Sequence, residues 1–210
     1  MRHHSVRRER SDRMAEDLLA NPHMDPDGLA RFQSAVASSR CYLEYGSGGS
    51  TIYANTIARV PAIITVESDR AWAQRVAAAL DKQASRIFIA HCDIGETGAW
   101  GAPTNTDKAH NFWQYMVAPW DLAKKHGQVP DTVLIDGRFR VASFLYSLLA
   151  SRVGTTILFD DYFDRPEYFV VEEFCALESR HGRMGVFIAS PHFSTIELVR
   201  KVAQYSSIWA

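Results

Sequence analysis

An acid, a glycine cluster and three serine or threonine side chains fall together in Glu44-Tyr45-Gly46-Ser47-Gly48-Gly49-Ser50-Thr51. A second acid, Glu67, follows about twenty residues on, in Ile63-Ile64-Thr65-Val66-Glu67-Ser68-Asp69, a spacing typical of nucleotide-binding units. Glycines let a backbone bend sharply and come close to a ligand. A carboxylate two dozen residues away on a neighbouring strand can accept hydrogen bonds from both hydroxyls of a ribose. Further acids, Asp93, Asp136 and the pair Asp160-Asp161, each end an apolar run, and Arg138 and Arg140 follow Asp136 closely. These types in this order point to binding of a nucleotide-sized ligand, with carboxylates left over for proton or cation chemistry.

Strands must carry these acids at their tips. Cys41 to Tyr45, Ala62 to Val66, Arg86 to His91, Asp131 to Gly137 and Thr155 to Phe159 are short apolar runs, and the stretches between them repeat apolar residues at helical spacing. Val141, Phe144, Leu145, Leu148 and Leu149 form the clearest such stripe. Helices are expected over 51–59, 69–80, 110–125 with an interruption at Pro119, and 166–179, ended by Gly182. The stretch 95–108, with glycines, Pro103 and an isolated Trp100, is long for a loop unless it covers a site. Met184 to Ala189 and Thr195 to Lys201 read as two strands of a terminal hairpin. Strands alternating with helices imply an α/β fold with a mostly parallel sheet of seven strands and a C-terminal antiparallel hairpin. The expected organisation is an N-terminal helical extension over 1–39, with helices near 11–20 and from 25, and one ligand-binding domain over 40–202.

Composition narrows the classes. A formal net charge of -1 gives no overall field for nucleic acid, and the basic start, Arg2, Arg7, Arg8, Arg10 and Arg13, reads as a solvated chain end. Three widely spaced cysteines, Cys41, Cys92 and Cys175, have neither zinc spacing nor a disulfide framework. No apolar run is long enough for a membrane span. The expectation is a soluble cytoplasmic protein, with no nucleic-acid or membrane partner and the option of a homodimer.

The order of elements, with Glu44-Tyr45-Gly46-Ser47-Gly48-Gly49 after the first strand, Glu67 after the second, Asp93 after the third and a terminal hairpin, resembles the class I S-adenosylmethionine-dependent methyltransferases. The resemblance spans about residues 40 to 202 and implies a Rossmann-like methyltransferase fold. Ile135-Asp136-Gly137 and Leu158-Phe159-Asp160-Asp161-Tyr162 look like the small-molecule O-methyltransferases, and like bacterial methyltransferase-like proteins of unassigned substrate. It implies that Gly46, Ser47, Gly48, Gly49 and Ser50 cradle the cofactor and that Glu44 meets its amino end. Glu67 and Ser68 would lie at the ribose, Asp93 and Ile94 at the adenine, and Asp136 beside the reacting centre. In similar metal-dependent enzymes acids at 136, 160 and 161 hold a divalent cation, for which Mg²⁺ suits three hard oxygen ligands.

The Gly137-Arg138-Phe139-Arg140 that follows adds positive charge where such a cation would sit. Either arginine could instead pair with Asp136 or Asp161, or hold an anionic substrate group; Asp136 and Arg138 are the candidates for catalysis. A third glycine is missing at 50 for the methyltransferase pattern and at 51 for the dinucleotide pattern. The rival readings are therefore a nicotinamide-dependent oxidoreductase and a cofactor-binding protein without turnover. An acid beside the turn favours an ammonium over a pyrophosphate. His110, after the long loop, is the one histidine worth testing as a base.

Overall fold

The computed structural model describes residues 21–209; the helix expected near 11–20 and the basic run before it lie outside the described residues. Five strands, β1 (Cys41–Tyr45), β2 (Ala62–Glu67), β3 (Arg86–His91), β4 (Thr132–Ile135) and β5 (Thr156–Phe159), pair in parallel in the order β3-β2-β1-β4-β5. β7 (Met184–Ile188) adds antiparallel to β5, and β6 (Leu177–His181) pairs with it at the edge. β1, β2 and β4 are buried along their whole length, as strands covered on both faces must be.

Alternation along the strands divides the core. Leu43, Tyr45, Ile64, Val66, Val133 and Ile135 face one side, against α4 (Phe112–Lys125), α5 (Arg140–Ala150) and α6 (Thr195–Tyr205). Tyr42, Ile63, Leu134 and Leu158 face the other, against α1 (Pro26–Ser38) and α2 (Gly49–Thr56), with α3 (Arg70–Ala79) beside α2. The caps are local chemistry. Asp25 accepts from the N–H groups of Asp27 and Gly28 ahead of Pro26, and Asp69 accepts from Trp72 N–H at 2.9 Å. No helix among the described residues is long and apolar enough to cross a membrane.

Two expectations need correcting. Thr195 to Lys201 is the first part of α6, not a strand: Ser194 caps Glu197 N–H, and Leu198, Val202 and Tyr205 repeat at helical spacing toward the core. The alternation of Thr195, Ile196 and Glu197 misleads because Ser194 and Glu197 form an N-terminal signature that overrides it. The helix expected over 166–179 is a turn of 3-10 helix, Pro166–Glu173, and then β6. Gly182 therefore sits in the tight turn between β6 and β7, and the hairpin lies one element earlier than the sequence suggests. Pro119 stays inside α4 without ending it.

Chain direction reverses its walk across the sheet between β1 and β4, and open α/β sheets bind ligands at the strand tips beside such a point. Gly46 leaves β1 there and Asp136 leaves β4.

Candidate functional site

A cavity of about 430 Å³ opens at these tips, within the range of small-molecule sites. Its floor depends on two glycines. A Cβ on Gly46, which has φ +85, would lie 2.9 Å from Gly137 Cα, and one on Gly137 would lie 2.1 Å from the Tyr115 hydroxyl. The turns after β1 and β4 can touch only because neither residue has a side chain.

One end of the cavity is formed by Gly46, Ser47, Gly48, Gly49 and Ser50 with Glu67, Ser68 and Trp72. Glu67 Oε2 accepts from Ser47 N–H (3.1 Å) and Ser47 Oγ (3.0 Å), and Oε1 accepts from Ser68 N–H (2.8 Å) and Asp69 N–H (3.0 Å). The backbone bonds fix the carboxylate, whereas the Ser47 hydroxyl can rotate away for a ligand diol. Trp72 Nε1 donates to Ser47 O at 2.7 Å and steadies the turn. Above Glu67, Ala99–Gly101 of the long loop folds back, with Gly101 O accepting from Ser68 Oγ at 2.8 Å. Trp100, in the left-handed region at φ 59, meets His23 at 5.7 Å between rings.

Asp136 lines the other end of the cavity, and three of the cofactor candidates lie elsewhere. Glu44 is fully buried beneath the turn, where Thr51, Ser50 (2.8 Å) and Tyr42 (2.8 Å) donate hydroxyls to it. Asp93 is exposed and paired with Lys108, and Ile94 is in the core. Neither these two nor Glu44 lines the cavity. Of the three acids that the resemblance puts around the cofactor, Glu44, Glu67 and Asp93, Glu67 is the one that lines the cavity. His110 is exposed and away from it.

Burial without a cation pushes the Glu44 carboxyl up to about 7, against the pull of the three hydroxyls. A carboxyl whose folded value exceeds the ordinary 4.5 binds its proton more tightly in the native state. The Glu44 contribution to stability should therefore fall as pH rises from about 4.5 to about 7, by about 3 kcal/mol, and stay constant above. Urea unfolding of Glu44→Gln across pH 4.5 to 8 should lack that slope; a slope equal to wild type would remove the assignment.

The other end holds Asp136, Asp160, Asp161 and four arginines. The three carboxylates present oxygens within 4.8 Å of one another. Arg140, buried at the start of α5, bridges two strand tips. Its Nη2 reaches Asp136 Oδ1 at 3.0 Å, its Nη1 reaches Asp161 Oδ2 at 2.9 Å, and its Nε donates to Gly137 O at 3.1 Å. Arg183, from the β6–β7 turn, gives Nη2 to Asp160 Oδ2 (3.1 Å) and to His23 O (2.6 Å), and Nε to Asp161 Oδ1 (2.9 Å). Its Nε also reaches Asp160 Oδ1 at 3.3 Å.

Both oxygens of Asp160 and of Asp161, and one of Asp136, are therefore held by guanidinium donors. A divalent cation would have to displace both arginines, so this donor set does not fit Mg²⁺. Asp136 Oδ2 alone has no partner among the described residues. Burial, with Asp160 and Asp161 adding repulsion, pushes the Asp136 carboxyl up to about 8 against the pull of Arg140. Phe139 (φ 53) and Asp161 (φ 56) take left-handed backbone at the two tips, a strain typical of sites.

Arg183, Arg165, Trp72, Tyr115 and His23 also line the cavity and were not signalled by any motif. The one available hint to Arg183 was electrostatic: adjacent acids ending a buried strand require cations from somewhere.

A scan against protein-family models gives no match, and a search of curated proteins gives none. Among solved structures, a methyltransferase-like protein from Silicibacter pomeroyi DSS-3 is 32% identical, covering 91% of this chain and 99% of its own, with a TM-score of 0.80. Cofactor-bound Rv0187 from MTB, at 15% identity over 84% of this chain and 86% of its own, with a TM-score of 0.50, shares the fold.

Proposed function

The chain belongs to the class I S-adenosylmethionine-dependent methyltransferases, among their methyltransferase-like proteins, and we propose that it methylates an oxygen of a small-molecule acceptor without a metal ion. The observation that carries this reading is one cavity with two unlike ends: a glycine turn and Glu67 at the first, and Asp136 with a free oxygen at the second. Bound S-adenosylmethionine supplies an electrophilic methyl carbon and a neutral thioether leaving group. Glu67 holds the ribose, while the backbone N–H groups that fix it keep its oxygens facing the cavity. The Gly46–Gly137 contact brings the first end against the second, so that acceptor and methyl donor share one line of attack. Asp136 Oδ2 takes the acceptor's hydroxyl proton as its oxygen is alkylated.

Calorimetric titration with S-adenosylhomocysteine tests the cofactor. Wild type should bind, and Glu67→Ala, which removes a charged acceptor, should bind about ten- to a hundred-fold more weakly. Absence of wild-type binding would sink the reading. Turnover should be unchanged by EDTA, because Arg140 and Arg183 already neutralise the acids that a metal would need. Activity that disappears on chelation and returns with Mg²⁺ would show the arginines yielding to a cation.

A further inference from the structure

Four guanidiniums face three carboxylates at the acceptor end of the cavity, and only two of the four are used. Arg138 and Arg165 line the same cavity and have no carboxylate partner among the described residues. Arg138 comes from the β4 tip, and its Nε is buried with no hydrogen-bond partner. The Tyr168 hydroxyl is likewise buried without a partner, and Arg165 lies over the Tyr168 ring, its Cζ 5.8 Å from the centroid. Buried donors that find no acceptor are costly, and native proteins rarely leave two of them close together.

We propose that the acceptor carries an oxyanion group, a carboxylate or a phosphate, held between Arg138 and Arg165. The proposal rests on the methyltransferase reading for the word acceptor; the anion site itself rests only on these side chains. Planar guanidinium forks match two-oxygen anions. Asp161 cannot do this work from within the protein, since Arg140 and Arg183 already hold both its oxygens, and Asp136, bound to Arg140 through Oδ1, forms no ion pair with Arg138 or Arg165. The strain on Arg138 has the same sense: burial and then the neighbouring Arg140 charge press its guanidinium toward the neutral form, a pressure that an incoming anion relieves.

The test is calorimetric, on the full chain with and without S-adenosylhomocysteine. The probes are 4-hydroxybenzoate, its neutral amide 4-hydroxybenzamide, and phenyl phosphate. The expected result is that one or both anions bind at least about ten-fold tighter than the amide, because a site built for a charged group rejects the analogue that lacks it. The stronger anion identifies the source, carboxylate or phosphate. Arg138→Gln and Arg165→Gln should each abolish the preference and Arg138→Lys should keep part of it. Arg200→Gln, in an exposed pair with Glu197, should keep all of it, which separates a built site from general surface charge.

An amide that binds as well as the anions, or Gln variants that keep the wild-type preference, would overturn the proposal. Arg165 leaves from an irregular turn rather than a helix or strand, so its variant carries the test even if Arg138→Gln does not fold. Anion preference without S-adenosylhomocysteine binding supports the site while removing the methyltransferase reading. Nucleoside binding without anion preference removes the site alone.

Discussion

Asp136→Asn should lower methyl transfer by about 10²- to 10⁴-fold, the range for loss of a positioned general base. Asparagine keeps the shape, and its Oδ1 can still accept from Arg140 Nη2, which now bonds Asp136 Oδ1 at 3.0 Å. The oxygen that has no partner among the described residues becomes an amide nitrogen, unable to take a proton. The wild-type rate should rise with pH as the Asp136 carboxyl ionises and level off above about 8, where burial and the two other acids have placed it. The asparagine variant should show a flat profile. The measurement is release of S-adenosylhomocysteine across a panel of hydroxyl-bearing acids, followed by mass spectrometry. The folded carboxyl is largely neutral below that pH while the unfolded one is ionised, so the asparagine variant, which has no proton to take up on folding, should have a urea midpoint at pH 7 no lower than wild type. Wild-type turnover by Asp136→Asn would remove Asp136 from the chemistry and leave it a packing residue.

The second large effect concerns folding. Arg140→Gln should destabilise the protein by roughly 3 to 5 kcal/mol at pH 7, the usual consequence of removing one partner from a buried ion-pair cluster. Arg140 is 5% exposed and ties Asp136, Asp161 and the Asp160 carbonyl together. Without it three acids share Arg183 alone. Asp160 is already held above the ordinary carboxyl range, by burial first and by Asp161 as well, with Arg183 opposing. Removing one of the two cations that hold them raises the acids further, and an acid raised in the native state withdraws stability as pH rises. The deficit of Arg140→Gln should therefore shrink on acidification toward pH 4, a trend that urea unfolding at three pH values would detect. A constant deficit would mean that lost packing, not lost charge, is responsible.

Much of the fold was legible because its signals are local. β1 to β5 are continuous apolar runs ended by acids or glycines, and α5 carries an unbroken stripe. The last thirty-odd residues were harder. The capping pair Ser194 and Glu197 competes with a β-branched alternation, and Gly182 serves equally as a helix end or a hairpin turn. At the site, Glu67, the glycine turn and Asp136 could be placed from order alone, since strand tips of an open sheet converge. Glu44 and Asp93 could not, because side-chain direction at a tip depends on neighbours that the local sequence does not specify. Glu44 turns down onto Tyr42, Ser50 and Thr51, and Asp93 turns out to Lys108. Arg140 was readable as a possible partner for Asp136 and Asp161. Arg183 was not, being brought in by a hairpin more than twenty residues after Asp160.

That long reach has a consequence for the protein during its synthesis. Domains take shape from the N-terminal side as the chain emerges, yet among the described residues it is Arg183 that joins the Asp160 and Asp161 side chains to the His23 carbonyl. Until the ribosome has delivered the β6–β7 hairpin, the growing polypeptide holds a cluster of acids one cation short, and the His23 carbonyl lacks its bond to Arg183. The ligand chamber is therefore among the last features to close, and a product terminated before residue 183 should be recovered as an aggregate or a degradation substrate, not as a smaller working enzyme.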